Sequence, residues 1–137
     1  MAFQPSKTFI NLPVRDLQQT IDFFSQLGFE FNPQFTDDNA TCMIINDNTY
    51  AMLLVEPFFQ TFTKKEIADA AKYTEVLVSF SLDSRAEVDE IADKALAAGG
   101  AFSNEPQDHG FMYTRSFQDP NGHIWEVFYM DPSTIQG

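Results

Sequence analysis

Glu126 is the residue whose chemistry most needs explaining. It stands in Ile124-Trp125-Glu126-Val127-Phe128, apolar on both sides. A carboxylate in such a run is a ligand or catalytic group, or the partner of a nearby cation, because an unpaired buried charge is too costly to keep. The stretch before it, Asp119-Pro120-Asn121-Gly122, is a turn with a mechanism: Pro120 presets φ, Asn121 and Gly122 tolerate positive φ, and Asp119 can accept from the backbone ahead of it. A strand must follow, with Ile124, Glu126 and Phe128 on one face and Trp125, Val127 and Tyr129 on the other. If the hairpin loop has four residues, Gln118 faces His123 and Arg115 lies opposite Glu126 on the same face. An ion pair with Arg115 then competes with a functional role for Glu126.

The other reactive side chains are few. His109, beside Asp108 and before Gly110, is a candidate ligand contact in a loop, whereas His123 sits in a turn and reads as solvated. They flank one strand, whose ends at ~3.4 Å per residue lie too far apart for both to hold one ion. The single cysteine, Cys42, falls within the strand-like Thr41-Cys42-Met43-Ile44-Ile45 and reads as a buried, inert thiol. Ser79 and Ser81 lie in a strand with no evident base. The chain has no Gly-rich phosphate loop, nucleophile elbow or Cys-x-x-Cys.

Composition narrows the classes. A formal charge of -12 with eight Lys and Arg argues against nucleic acid and anionic membranes. One cysteine makes no internal disulfide, and no charged-then-apolar leader opens the sequence, so the expected compartment is the cytoplasm. Fifteen Phe among 137 residues are more apolar surface than a small monomer readily covers, which predicts a homodimer.

The elements that position these residues follow in order. Thr8 to Val14 reads as a strand that Pro13 confines to an edge or ends. Asp16 caps a helix from about Leu17 to Leu27, stopped by Gly28. Phe29 to Phe35, Ala40 to Ile45 and Tyr50 to Val55 read as strands. In the connector, Phe58, Phe59 and Phe62 read as packing anchors, and Thr63-Lys64-Lys65-Glu66 as a capping box for a helix through about Ala71. Glu75 to Asp83 is a strand, and Ser84 caps a helix ending at Gly99-Gly100. Ala101 to Ser103, Gly110 to Phe117 and His123 to Tyr129 complete the chain as strands.

The order of elements repeats. A shift of 72 residues lays Leu54 on Glu126, and a shift of 68 lays Asp16 on Ser84 and Phe9 on Leu77. The expected fold is α+β: one domain over residues 1–137 made of two βαβββ modules, about 6–56 and 74–130, with a connector at about 57–73.

This plan resembles the vicinal oxygen chelate superfamily, which holds glyoxalase I, extradiol dioxygenases, and fosfomycin and bleomycin resistance proteins. Its carriers are Asn11-Leu12-Pro13-Val14-Arg15-Asp16-Leu17, the helix stops at Leu27-Gly28 and Ala98-Gly99-Gly100, and Asp119-Pro120-Asn121-Gly122 through Glu126. The runs Phe35-Thr36-Asp37, Asp108-His109-Gly110-Phe111-Met112-Tyr113 and His123-Ile124-Trp125-Glu126 look like a bacterial glyoxalase-like subgroup of unassigned reaction.

The resemblance implies that the two modules form a cup-shaped mixed sheet, and that metal-using members hold one ion in it by a residue from each module's first strand and one from its last. Here those places carry Phe9, Leu77, Leu54 and Glu126, so Glu126 is the one position able to bind a metal and the candidate for catalysis. Glu56 and Glu75, two residues from expected places, offer a rearranged site with Glu126 if the strands run that far. By parity, the cup is lined by Phe9, Asn11, Met52, Leu54, Leu77, Ser79, Ile124 and Phe128, with Arg115 and His109 as further ligand contacts. The expected function is therefore binding of a small molecule in an apolar cup, with no cofactor. The alternatives are a divalent-metal lyase, isomerase or dioxygenase of the glyoxalase type, or an interaction module with a vestigial cup.

Overall fold

The computed structural model describes residues 2–134. The chain divides into two compact units, Met1–Ile67 and Ala68–Gly137, so the boundary falls inside the connector.

In the first unit β1 (Thr8–Val14) leads into α1 (Leu17–Leu27). The Asp16 side chain accepts from the Gln19 N–H at 3.0 Å, satisfying one of the donors that a helix start leaves open. Gly28 ends the helix at φ 106, a left-handed value that favours glycine. Then come β2 (Glu30–Phe31), β3 (Ala40–Asn46), β4 (Thr49–Val55) and the short α2 (Glu56–Phe59). The strand order is β1-β4-β3-β2, with β1 parallel to β4 and the rest antiparallel. Pro13 is thus on an edge strand, where its missing N–H costs no ladder bond. Val14, Leu53, Met43, Phe23 and Phe24 are fully buried as α1 packs on β3 and β4.

The second unit repeats the plan with β5 (Leu77–Ser81), α3 (Arg85–Ala97), β6 (Ala101–Phe102), β7 (Gln107–Asp108), β8 (Met112–Gln118) and β9 (Ile124–Met130). Its order is β5-β9-β8-β6, with β7 also on β8, and the first strand again runs parallel to the last. Ser84 Oγ accepts from the Glu87 N–H at 3.1 Å, and Glu87 Oε1 accepts from the Asp83 N–H at 3.0 Å, a reciprocal cap that starts α3. Val88, Ala92 and Val127 form the core beneath α3, flanked by Phe80, Tyr113 and Tyr129. No helix among the described residues is long and apolar enough to cross a membrane. The fold is α+β, as the duplicated order of elements predicts.

Three expectations need correction. The strand over Phe29 to Phe35 shrinks to Glu30–Phe31, because Asn32 Oδ1 accepts from the Gln34 N–H at 3.0 Å and Pro33 opens a 3-10 turn. No helix follows Thr63; its hydroxyl accepts from the Lys65 N–H at 3.1 Å, which closes a turn instead of a capping box. The connector's α-helix lies earlier instead, at Glu56–Phe59, where Pro57 suits the first turn. Among the expected anchors Phe58 and Phe59 are half-buried, but Phe62 is 69% exposed, edge-on to Phe58.

The internal repeat also shifts. Ile44 pairs with Tyr50 as Gln118 pairs with Ile124, so the sheets match at 74 residues and Met52, not Leu54, is the mate of Glu126. A bulge between Ile44 and Asn46 hides this from the sequence, because it moves the first turn out of step with the second.

Candidate functional site

Parity and register together build the site on the face of the second sheet turned away from α3. One row across three strands is Ser79 on β5, Glu126 on β9 and Ser116 on β8. Ser79 Oγ donates to Glu126 Oε1 at 2.7 Å. The neighbouring rows are Leu77, Ile124 and Gln118 on one side, and Ser81, Phe128 and Thr114 on the other. Thr114 Oγ1 is buried without a hydrogen-bond partner, which costs about 1–3 kcal/mol in the absence of compensation. The sequence reading missed Ser116 and Thr114; parity along β8 points to them once the loop length is known.

The loop has five residues, not four. Asp119 is 3% exposed, and its carboxylate accepts from the Asn121 N–H at 2.8 Å, the His123 N–H at 3.1 Å and Trp125 Nε1–H at 2.9 Å. These bonds hold His123 inside the turn, so pairing starts at Gln118 and Ile124. Burial pushes the Asp119 carboxyl above its usual range, against the pull of His123 and of the three donors.

One residue of register turns a side chain to the other face. Arg115 therefore stands opposite Val127, and the expected pair with Glu126 does not form. Arg115 Nη1 donates instead to Asp89 at 3.1 Å and Asp93 at 2.9 Å, both on α3. Tyr113 OH donates to the same Asp89 oxygen at 2.6 Å. Arg85 lies 4.6 Å over the Tyr113 ring and pairs with Asp108. The Tyr113 hydrogen bond, followed by Arg115, holds the Asp89 carboxyl below its usual range. Arg115 thus belongs to a polar network tying β8 to α3, on the face opposite the candidate site. His109 is exposed at the β7–β8 turn, its N–H bonded to Met112 O at 2.9 Å and its ring 6.4 Å from that of Phe111.

In the first unit the corresponding row is Asn11, Met52 and Cys42. Phe9 and Tyr50 stack with centroids 5.1 Å apart, and Leu54 is buried beside Pro13. Cys42 is buried, and burial pushes its thiol pKa up.

A family model for the glyoxalase/bleomycin resistance protein/dioxygenase superfamily matches residues 8–127. The chain belongs to that superfamily. Solved structures agree with this assignment. A hypothetical protein from S. aureus is 28% identical with a TM-score of 0.76, covering 94% of this chain and 95% of its own. A glyoxalase/bleomycin resistance protein/dioxygenase family enzyme from Burkholderia phytofirmans is 17% identical, TM-score 0.75, covering 89% and 96%. The fosfomycin resistance protein FosX from Mesorhizobium loti shares the fold at 15% identity and TM-score 0.67, covering 97% of each chain. No curated protein matches the sequence significantly.

The superfamily's divalent metal can be tested against the donors present. Phe9 and Leu77 offer none, and at the position of the first unit that corresponds to Glu126 the register puts the Met52 thioether, a soft and weak ligand. Glu56 heads α2 and Glu75 lies two residues before β5, so the strands do not extend to them. Among the described residues no group of three or more His, Cys, Asp or Glu comes together to hold an ion. The donor set does not fit a resident divalent metal.

Proposed function

We propose that this superfamily member binds a small organic molecule on the Glu126 face of its second sheet, without a tightly held metal. The observation that carries this reading is one carboxylate, bonded to Ser79 and set among Ile124, Phe128 and Leu77, at a place where three of the four expected metal positions have no hard donor. An apolar surface with a few placed polar groups is the usual character of a small-molecule site. Glu126 serves there as a binding group rather than a metal ligand.

The test joins two measurements on the purified chain. Elemental analysis after dialysis is expected to find far less than one equivalent of Ni, Zn, Fe or Mn, and a small-molecule screen by ligand-observed NMR is expected to return binders weakened by Glu126→Gln. Near one equivalent of retained metal would favour the glyoxalase-type enzyme instead. A screen without binders would favour an interaction module.

The reading includes a homodimer. Phe62 and Tyr73 of the connector are 69% and 62% exposed, which is costly apolar surface for a lone chain. Sedimentation at micromolar concentration should give about twice 15.6 kDa, and a 15.6 kDa species would refute the dimer.

A further inference from the structure

We infer that the ligand of the Glu126 face presents a primary ammonium group on an apolar body. This rests on the small-molecule reading above and names the class of ligand.

The argument starts from hydrogen-bond capacity. Ser79 donates its hydroxyl proton to Glu126 Oε1, which leaves Ser79 Oγ only lone pairs to offer. Glu126 Oε2 and Ser116 Oγ have no hydrogen-bond partner among the described residues. These three acceptors come from one row of register on adjacent strands, which lie about 4.8 Å apart. Ser79 and Ser116 stand on the two strands flanking β9, about two strand spacings apart, so an –NH3+ group, with three donors and no acceptor, spends one N–H on Glu126 Oε2 and a second on the Ser116 side of the row.

Charge points the same way. The rows around Glu126 contain no Lys, Arg or His, because the five-residue loop turns Arg115 to the α3 side. The carboxylate's charge is therefore uncompensated on its own face, and a net charge of -12 steers cations toward the protein. Other cations fit less well. A guanidinium prefers a bidentate carboxylate, and one Glu126 oxygen is already taken by Ser79. A quaternary ammonium has no N–H and needs an aromatic cage, whereas these rows offer Phe128 as their one aromatic ring.

The apolar body follows from the flanks: Leu77 and Ile124 on one side of the row, Phe128 on the other.

The test is isothermal titration of the whole chain with four probes of one shape: 2-phenylethylamine, its N,N,N-trimethyl analogue, 2-phenylethanol and 3-phenylpropionate. The amine should bind about tenfold or more tightly than the alcohol and the trimethyl analogue, as a charge-assisted hydrogen bond implies, and the carboxylate should not bind. Glu126→Gln should remove that preference, and Ser116→Ala should lower amine affinity by about threefold, both with the unfolding midpoint of the native chain. Three results overturn the ammonium inference but keep the binding reading: equal binding of alcohol and amine, preference for the carboxylate, or amine affinity untouched by Glu126→Gln. Absence of saturable binding by all four probes at millimolar concentration overturns the inference as well, and the broader screen then decides the binding reading by itself.

Discussion

Replacing Asp119 by Asn should destabilise the protein by about 1.5–3 kcal/mol, although among the described residues the hydrogen bonds of its carboxylate go only to its own turn and Trp125. Oδ1 accepts from two backbone N–H groups, of Asn121 and His123, and Oδ2 accepts from the indole N–H of Trp125, which is fully buried. Asn can keep a carbonyl oxygen at the Oδ1 place, so two bonds survive as neutral ones and weaken by about 0.5 kcal/mol each. Its amide then faces the indole N–H, donor against donor, losing a bond worth about 1.5–3 kcal/mol. Removing a buried charge offsets about 1 kcal/mol of this, consistent with a carboxyl that burial already raises. Trp125→Phe removes the stranded donor, so the double variant should cost less than the sum by about 1.5 kcal/mol. Urea unfolding followed by far-UV circular dichroism measures all three, since the chain has a single Trp and fluorescence is lost with it. An Asn variant within about 0.5 kcal/mol of the native protein, or a coupling near zero, would refute the clamp.

Arg115→Met should cost about 1–2 kcal/mol, because the Arg115 side chain is 17% exposed while its partners Asp89 and Asp93 are 48% and 68% exposed. Glu126→Gln should cost under about 0.5 kcal/mol, and the two changes should add within that error, whereas a pair between them would show clear coupling. Gly122→Ala should cost well over 2 kcal/mol: φ is 96, and a Cβ there would lie 2.7 Å from the backbone oxygen of Ala70, while Gly28→Ala meets open space at φ 106 and should cost only about 1 kcal/mol. Acid should destabilise through Asp89. Its carboxyl is lowered from the usual 3.8 by Tyr113 and then Arg115, so its contribution is full above that value and lost as pH falls through the folded value. Asp119 has the opposite sign: being raised, it favours folding below 3.8 and loses that contribution as pH rises through its folded value. An Asp89→Asn chain should therefore show a flatter stability curve below pH 4 than the native chain; an unchanged slope would count against the network.

How much of this was legible in the sequence depended on whether the signal was local. The helix α1 was placed residue for residue because its cap, its apolar spacing and its stop at Gly28 lie within one short segment. Strand β1 was placed equally well, and Pro13 marked its edge. The helix expected after Thr63 failed because a hydroxyl has two local acceptor geometries, and Thr63 took the turn at Lys65. The candidate site was half legible for the same kind of reason. Parity alone grouped Glu126 with Ile124 and Phe128, and Ser79 with Leu77, since alternation needs no partner strand; joining the two sets took the internal repeat and the family resemblance. The partner of Glu126 did need one. Whether the turn closes over four residues or five was decided by Trp125, which is buried and must find an acceptor for its indole N–H, and Asp119 supplies it six residues earlier. That one bond helps to lengthen the loop, and the longer loop sends Arg115 to α3 and brings Ser116 beside Glu126. The setting of Glu126 follows from it: on the four-residue register Arg115 would stand beside it, and on the five-residue register its row neighbours are Ser79 and Ser116 while Arg115 bonds to α3.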